Sequence, residues 1–355
     1  MLAVERDRIR SAWLGRISGC ELGKPIESYS MRKGVRELRE YLSRVGALPL
    51  RDYVPFLEGE LPESARATCR GHIVRAEWDD DINYTALSLT MLEQHGRALS
   101  TADVARAWLM ALPAGQTWTA ERAAYRILMN RAPDRFAAGA EPEFDLAECA
   151  DNEFNDWIGA QIRADLYGWV CPGEPGLAAH LVRQDAQLSH VGEGVHGAEF
   201  VAALGAAIPM EDTLDAAIDR ALEEIPGSSD SAEAVALGRS LAGIPDAVDQ
   251  LHRKYEGLSP VHTVNNLAVV AWALCSYEDD YSAAVGEAVA AGWDTDCNGA
   301  TVGGLWGLSG RPIPKSWTDS WNGRVHVGLA GWGEVDVDDL INRTVEVAVR
   351  LTDSA

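Results

Sequence analysis

The sequence predicts an all-α protein, folded as a single compact helical bundle that covers residues 1–355. Apolar residues recur at helical spacing through most of the chain, in segments rich in good helix formers. Runs that alternate apolar and polar residues and are rich in Val, Ile and Thr are scarce, so few strands are expected. No stretch is long and polar enough to link two separate domains, which favours one domain.

The clearest predicted helix covers residues 82–95 (INYTALSLTMLEQH). Ile82, Leu89 and Leu92 fall on one helical face, and Gly96 follows as a C-terminal stop. A shorter apolar run, rich in small residues, follows at 298–308. The same periodicity predicts further helices at 101–112, 119–130, 197–207, 214–224, 231–241, 263–275, 281–291 and 339–351.

Two segments are predicted to be surface loops. Residues 131–156 are polar and unusually long for a connection inside a domain. Residues 169–175 (WVCPGEP) combine Pro and Gly, which interrupt regular structure.

Charge and composition exclude several classes of protein. The net charge of −23 would repel a nucleic acid, and no basic patch stands out. No run approaches the roughly eighteen apolar residues of a membrane span, and the N-terminus carries charges where a signal peptide needs an apolar core. The six cysteines are scattered without a CxxC pair, as in a reduced protein. We therefore expect a cytoplasmic protein without nucleic-acid or membrane partners.

Three consecutive carboxylates, Asp79, Asp80 and Asp81, stand immediately before the helical run at 82–95. One interpretation is an N-cap followed by acidic residues in the first turn. One capping Asp suffices for that purpose, however, and neighbouring carboxylates repel one another unless a cation or hydrogen bonds neutralise them.

A second acidic pair, Asp294 and Asp296, lies between two Ala/Gly-rich segments. Glycine inside a helix costs about 1 kcal/mol relative to alanine, so the glycines that follow at 299–304 indicate close approach of another backbone. Such a crossing would bring two helix N-termini and their carboxylates face to face. Oxygen ligands favour Mg²⁺, with Mn²⁺ or Ca²⁺ as alternatives. Two such cations about 3.5–4 Å apart could hold a water nucleophile and a substrate diol.

Three motifs resemble those of the ADP-ribosylglycohydrolase family, which contains dinitrogenase reductase-activating glycohydrolase. The family's opening GxxxGDxxGxxxE is matched by residues 15–27 (GRISGCELGKPIE). Its Thr-Asp-Asp-Thr is matched by residues 79–82 (DDDI), and its Gly-Gly-Asp-Thr-Asp-Thr by residues 292–297 (GWDTDC). The resemblance extends from about residue 11 to residue 317.

The resemblance implies an all-α fold with two divalent cations in a central cleft. Glu27 corresponds to an acidic residue near the metals, which implies a general acid/base or a gate for substrate. The implied metal ligands are Asp79, Asp80, Asp81, Asp294, Asp296 and Cys297.

The chain departs from the family pattern at the site itself. Asp79 replaces a ligand threonine and adds a negative charge, whereas Cys297 replaces another with a softer group. Ile82 stands for the second threonine of the first motif, and Cys20 for the aspartate of the opening motif. The added charge at Asp79 could offset the hydroxyl lost at Cys297. Alternatively, one cation is weakly bound or absent.

A Gly-rich loop that reaches the nucleotide in the family resembles residues 151–163 (DNEFNDWIGAQIR). This resemblance implies that Asn155, Trp157 and Gly159 line the ligand; an ordinary loop entering a helix is the alternative.

Two further segments carry candidate ligand contacts. His190 and the glycines after it match a family Thr-His and glycine loop, and Gly192 would permit close approach of a phosphate or ribose. A core histidine satisfied by hydrogen bonds is the alternative. Trp293, beside the second acidic pair, could stack on a base or sugar.

The family cleaves the glycosidic bond at the anomeric ribose carbon of ADP-ribosyl groups. The implied mechanism places the ribose hydroxyls on the cations, with Asp80 or Glu27 assisting proton transfer. The expected partner is an ADP-ribosylated or small-molecule substrate, and no particular oligomeric state is predicted. Two alternatives are an N-ribosyl hydrolase acting on a nucleotide-derived metabolite and a catalytically silent ADP-ribose-binding protein.

Overall fold

The computed structural model describes residues 6–353, and helices dominate this part of the chain. The all-α prediction is confirmed. In the described residues the only strands are β1 (Arg324–Val327) and β2 (Gly333–Asp336), which pair as an antiparallel hairpin.

Sixteen α-helices and eight short 3₁₀ helices make up the described chain. The α-helices are α1 (Arg6–Gly23), α2 (Glu27–Lys33), α3 (Val35–Arg44), α4 (Asp80–His95), α5 (Thr101–Ala111), α6 (Thr119–Arg131), α7 (Asp165–Trp169), α8 (Pro175–Ala186), α9 (Gly192–Ala207), α10 (Leu214–Leu222), α11 (Asp230–Ser240), α12 (Ala247–Lys254), α13 (Thr263–Ser276), α14 (Tyr281–Ala290), α15 (Thr295–Gly307) and α16 (Val337–Asp353). The 3₁₀ helices are Lys24–Ile26, Glu63–Thr68, Gly96–Ala98, Ala114–Gln116, Phe136–Ala138, Leu146–Ala150, Gln161–Arg163 and Lys315–Trp317.

Helices α1 and α15 cross with their backbones in contact, and this crossing is the centre of the fold. A Cβ at Gly15 would lie 2.1 Å from the carbonyl oxygen of Gly303, and a Cβ at Gly303 would lie 2.1 Å from that of Gly15. At the end of α1, a Cβ at Gly23 would lie 2.3 Å from the amide nitrogen of Asp296. The predicted glycine-lined crossing is therefore present, and it joins the C-terminus of α1 to the N-terminus of α15.

The hairpin fixes the segment that leads into α4. The Ala76 amide donates to the carbonyl of Arg324 at 2.9 Å, and the His326 amide donates to the carbonyl of Ala76 at 2.8 Å. Because Ala76 is held on β1, the acidic residues that follow it enter α4 from a fixed position.

The predicted helices are present, but two of them start three or more residues earlier than expected. Helix α9 begins at Gly192 rather than residue 197, and α15 begins at Thr295 rather than residue 298. Glycines lower the helical propensity of the sequence at both starts. Tertiary packing compensates for this: Gly194 packs so closely on the backbone of Asn155 that a Cβ there would lie 2.4 Å from the Asn155 carbonyl oxygen. Sequence periodicity also missed α1, α2, α3, α7, α8 and α12.

The prediction of a surface loop at 169–175 was wrong at its start. Trp169, Val170 and Cys171 are buried, and the Trp169 ring packs edge-on against Trp13 with ring centroids 5.3 Å apart. Pro and Gly signal a break in regular structure, which here occurs against the core. Residues 131–156, in contrast, form the long and largely exposed connection that was predicted, with two 3₁₀ turns.

The hydrophobic core is continuous from α1 to α16. All six cysteines are free thiols, and five are buried. Within residues 6–353, none of the helices combines the length and apolar character needed to cross a membrane.

Candidate metal centre

The first acidic cluster stands at the N-terminus of α4. Asp79 is the N-cap residue, and its Oδ1 accepts a hydrogen bond from the Asp81 amide at 3.1 Å. The capping interpretation is thus correct for Asp79. Asp81 is fully buried and Asp80 is partly exposed, and capping does not account for either carboxylate.

The second cluster stands at the N-terminus of α15. Asp294 is the N-cap residue, but its side chain makes no capping hydrogen bond. Its amide donates to Oδ1 of Asn266 at 3.2 Å, and the same oxygen accepts from Asn298 at 2.8 Å. Asn266 on α13 therefore holds the start of α15 in place. Both Asp294 and Asp296 are 3% exposed.

The α1–α15 crossing gathers these residues into two groups whose candidate ligand atoms lie within 4.8 Å of one another in each group. Asp81 belongs to the first group and is also close to the second, since the Cys297 thiol lowers the pKa of the Asp81 carboxyl group. The first triad is Cys20, Asp79 and Asp81, and the second triad is Asp294, Asp296 and Cys297.

Several buried carboxylate oxygens in the two triads lack a hydrogen-bond partner within residues 6–353. These atoms are Asp81 Oδ2, Asp294 Oδ1 and Asp296 Oδ1. Burying a charged oxygen without a partner is costly, and a bound cation removes that cost. The orphaned oxygens therefore fit a cation site.

The electrostatics of the cluster point the same way. Burial, together with the neighbouring carboxylates, raises the pKa of Asp296 and of Asp80 well above the usual range. Burial raises the pKa of Asp81 similarly, although the Arg16 guanidinium opposes the shift. A divalent cation would reverse this effect, because its charge favours the ionised form.

Glu27 completes the cluster from the first turn of α2. It is partly exposed, and burial together with the charges of Asp294 and Asp79 raises its pKa well above the usual range. Glu27 and Asp80 are thus the most exposed carboxylates of the cluster, and hence the first that a ligand entering the site can meet.

Two basic side chains face the cluster, and sequence reasoning missed both. Arg16 is fully buried; it donates to Asp81 Oδ1 at 3.0 Å and to Asp165 Oδ2 at 2.8 Å. Lys24 Nζ lies 3.0 Å from Asp79 Oδ2. Both residues fall inside the opening motif at 15–27, at positions that the motif leaves unspecified, and this was the only signal.

The comparisons with known proteins agree with this arrangement. The sequence profile described as ADP-ribosylglycohydrolase matches residues 1–348. The chain belongs to the ADP-ribosylglycohydrolase family. A solved structure titled "ADP-ribosylglycohydrolase-related protein complex" is similar in fold, with 19% identity, a TM-score of 0.56 and coverage of 99% of each chain. A search of curated proteins returned no match.

Family membership supports glycohydrolase activity in general, and the two triads could bind a divalent metal ion. Five of the six residues predicted as metal ligands belong to the two triads, and Asp80, which is partly exposed, belongs to neither. Cys20 joins them as a further candidate ligand, although the sequence showed it only as a departure from the family motif.

The predicted substrate loops also meet each other. The Val191 amide donates to the carbonyl of Asn155 at 3.2 Å, and Gly192, at φ +49°, lies beside Asp156. The Trp157 carbonyl accepts from the Thr263 hydroxyl at 2.9 Å, at the start of α13. Since α13 also carries Asn266, this helix links the substrate loops to the second triad.

Two of the predicted substrate contacts have a clear packing role. A Cβ at Gly159 would lie 2.0 Å from Glu121 Oε1. His190 is fully buried, with Nδ1 2.7 Å from the Ser189 hydroxyl and Nε2 3.8 Å from Glu121 Oε1. Both residues border a buried network around Arg163. His190 is buried as the core-histidine alternative expects, but its Nε2 has no hydrogen-bond partner among the described residues. A ligand contact there stays a prediction.

Trp293 stands where the family motif has a glycine, and it has a left-handed backbone conformation, with φ +58°, that glycine adopts more readily than other residues. Its ring stacks on His252 with centroids 4.0 Å apart, and its carbonyl accepts from the Ser30 hydroxyl at 2.9 Å. One face of the indole is therefore covered by protein. Stacking on a substrate stays a prediction and involves the remaining surface of the ring.

Proposed function

We propose that this protein is a divalent-cation-dependent glycohydrolase that cleaves the bond at the anomeric ribose carbon of an ADP-ribosyl or related N-ribosyl substrate. The observation that carries the proposal is the set of buried, unpartnered oxygens on Asp81, Asp294 and Asp296. These residues come from two distant segments, and burying them together is unfavourable without a cation. Mg²⁺ is the expected ion, with Mn²⁺ or Ca²⁺ as alternatives.

The second triad and Asp81 would hold the cation, which supplies a positive charge that orients ribose hydroxyls and water. Arg16 positions Asp81, because it bonds both the carbonyl and the carboxylate of that residue at 3.0 Å. Asn266 positions the start of α15. The rigid helices thus fix the ligand oxygens before substrate arrives.

Glu27 and Asp80 are proposed to move the protons of the reaction. Both are carboxylates on the solvent-reached side of the cluster, and hydrolysis requires one proton to be delivered to the leaving group and one to be taken from water. Burial and the charges of Asp294 and Asp79 raise the pKa of Glu27, which suits a proton donor.

The substrate class rests on family membership and on the two loops that carry Asn155, Trp157, Gly192 and His190. These loops meet at the N-terminus of α9 and lie next to α13, which reaches the cation site. We assign the remainder of an ADP-ribosyl group to this side of the cleft.

The proposal is tested by incubating the protein with Mg²⁺ or Mn²⁺ and ADP-ribosylated arginine, NAD⁺ or nucleosides, and by measuring the released ribosyl product chromatographically. We expect Asp296→Asn to lower turnover by at least about 100-fold, while Asp319→Asn, on the exposed surface, leaves it unchanged. Turnover of Asp296→Asn at the parent rate would contradict the mechanism. ADP-ribose binding without any product release would instead favour a silent binding protein.

A further inference from the structure

Lys24 is the one lysine among the described residues that ion-pairs within the acidic cluster. It begins the 3₁₀ turn after α1, and its Nζ lies 3.0 Å from Asp79 Oδ2. Nζ also donates to the carbonyl of Trp78 and lies 5.3 Å from the centre of its ring. The ammonium is therefore held by a carboxylate, a carbonyl and an aromatic face.

Asp79 has little capacity left for a metal ion. Its Oδ1 accepts from the Asp81 amide, and its Oδ2 is paired with Lys24. The family motif has an uncharged threonine at this position, and the additional carboxylate of this chain is paired with Lys24. A divalent cation bound at Oδ2 would have to displace Lys24 or tolerate a like charge beside it.

The carboxylates of the second triad, in contrast to Asp79, are not neutralised by a basic side chain of the described part of the chain. Asp294 and Asp296 form no ion pair with a basic side chain in residues 6–353, and each has a buried oxygen without a partner. Asp81 Oδ1 is bonded to Arg16, but its Oδ2 is unpartnered and the Cys297 thiol lies against its carboxylate. The uncompensated negative charge is thus concentrated on one side of the cluster.

We propose that the Lys24 ammonium replaces one of the two cations that the family resemblance implies. On this view the protein binds a single divalent ion, at Asp81, Asp294, Asp296 and Cys297, and Lys24 is a permanent positive charge beside Asp79. The inference rests on the proposed function, since it presupposes that the second triad binds a cation.

Metal stoichiometry tests the inference independently of turnover. Mn²⁺ would be titrated into the full chain by calorimetry, and bound metal counted after equilibrium dialysis. We expect one ion per chain for the parent protein and for Lys24→Arg, which keeps the charge. We expect two ions for Lys24→Met, because the substitution frees Asp79 Oδ2. Lys33→Met, on the exposed end of α2, is the matched control and should bind one.

Electron paramagnetic resonance of the bound Mn²⁺ gives a second readout. An isolated ion is expected in the parent protein at every loading, and a spin-coupled pair in fully loaded Lys24→Met. Two ions of similar affinity in the parent would overturn the inference, as would a single ion in a folded Lys24→Met protein. If that variant does not fold, the parent and Lys24→Arg stoichiometries still decide. No bound ion in the parent would overturn the cation site as well, and with it the proposed function.

Discussion

Gly19 and Gly299 touch backbone to backbone: a Cβ at Gly19 would lie 1.9 Å from the Gly299 carbonyl oxygen, and a Cβ at Gly299 would lie 2.3 Å from the Gly19 carbonyl oxygen. Each position thus excludes a side chain because of the other helix. This contact sets the distance between α1 and α15. Cys20 on α1 and Cys297 on α15 lie within two residues of it.

Gly299→Ala is therefore expected to be destabilising, because a methyl group would have to push backbone atoms apart. Overpacking a core typically costs about 1–3 kcal/mol, and contact with backbone rather than a flexible side chain favours the upper end. Denaturant unfolding measures the change. Gly115→Ala is the control, since a Cβ there meets nothing within 4 Å. Equal stability of the two variants would show that the crossing can separate at little cost.

Cation binding is expected to stabilise the folded protein. A ligand that binds only the native state adds about 2.7 kcal/mol at a concentration 100 times its Kd, so Mn²⁺ or Mg²⁺ should raise the unfolding midpoint and a chelator should reverse the shift. In Asp294→Asn the shift should largely disappear. Asp279→Asn, a substitution of an exposed residue whose side chain is 87% accessible, should keep it. A shift retained in Asp294→Asn would place the cation elsewhere.

Arg16→Met should lower stability strongly. Arg16 is fully buried and compensates both Asp81 and Asp165, so its loss leaves two buried carboxylates without their partner. Breaking a buried ion pair in this way costs about 3–5 kcal/mol. Arg36→Met, whose ion pair with Glu37 is on the surface, should leave the unfolding free energy almost unchanged. A similarly small effect for Arg16→Met would contradict the positioning role of Arg16.

His190 is expected to make stability depend on pH. Burial, reinforced by the Arg163 guanidinium, lowers the pKa of His190 well below its usual value. Between that lowered pKa and the unfolded value of about 6.5 the unfolded state binds more protons, so stability falls as pH drops below about 6.5. The loss per pH unit is at most about 1.4 kcal/mol for one group.

The contribution of His190 is isolated by comparing variants. His190→Gln should show a shallower fall in unfolding free energy between about pH 6.5 and pH 5 than the parent. His72→Gln, at an exposed histidine, should follow the parent. Parallel curves for the parent and His190→Gln would mean that the ring is protonated equally in both states.

The local sequence was sufficient to predict most helices, because apolar periodicity depends only on residues that are close together in the chain. It was also sufficient for the two acidic clusters and the glycines of the crossing, since consecutive carboxylates and helical glycines are unfavourable without a reason. It was insufficient for the start of α9 and for the buried segment at Trp169. In both places contacts with distant residues override weak or misleading local signals.

Sequence alone therefore determined the helical class, the two acidic helix ends and the family. Only the tertiary structure decided which charges neutralise which: Lys24 beside Asp79, Arg16 beside Asp81, and Asp294 and Asp296 with unpartnered oxygens. The physical reason is that helix formation depends on residues a few positions apart. Charge compensation depends instead on distances of a few ångströms between side chains that are far apart along the chain.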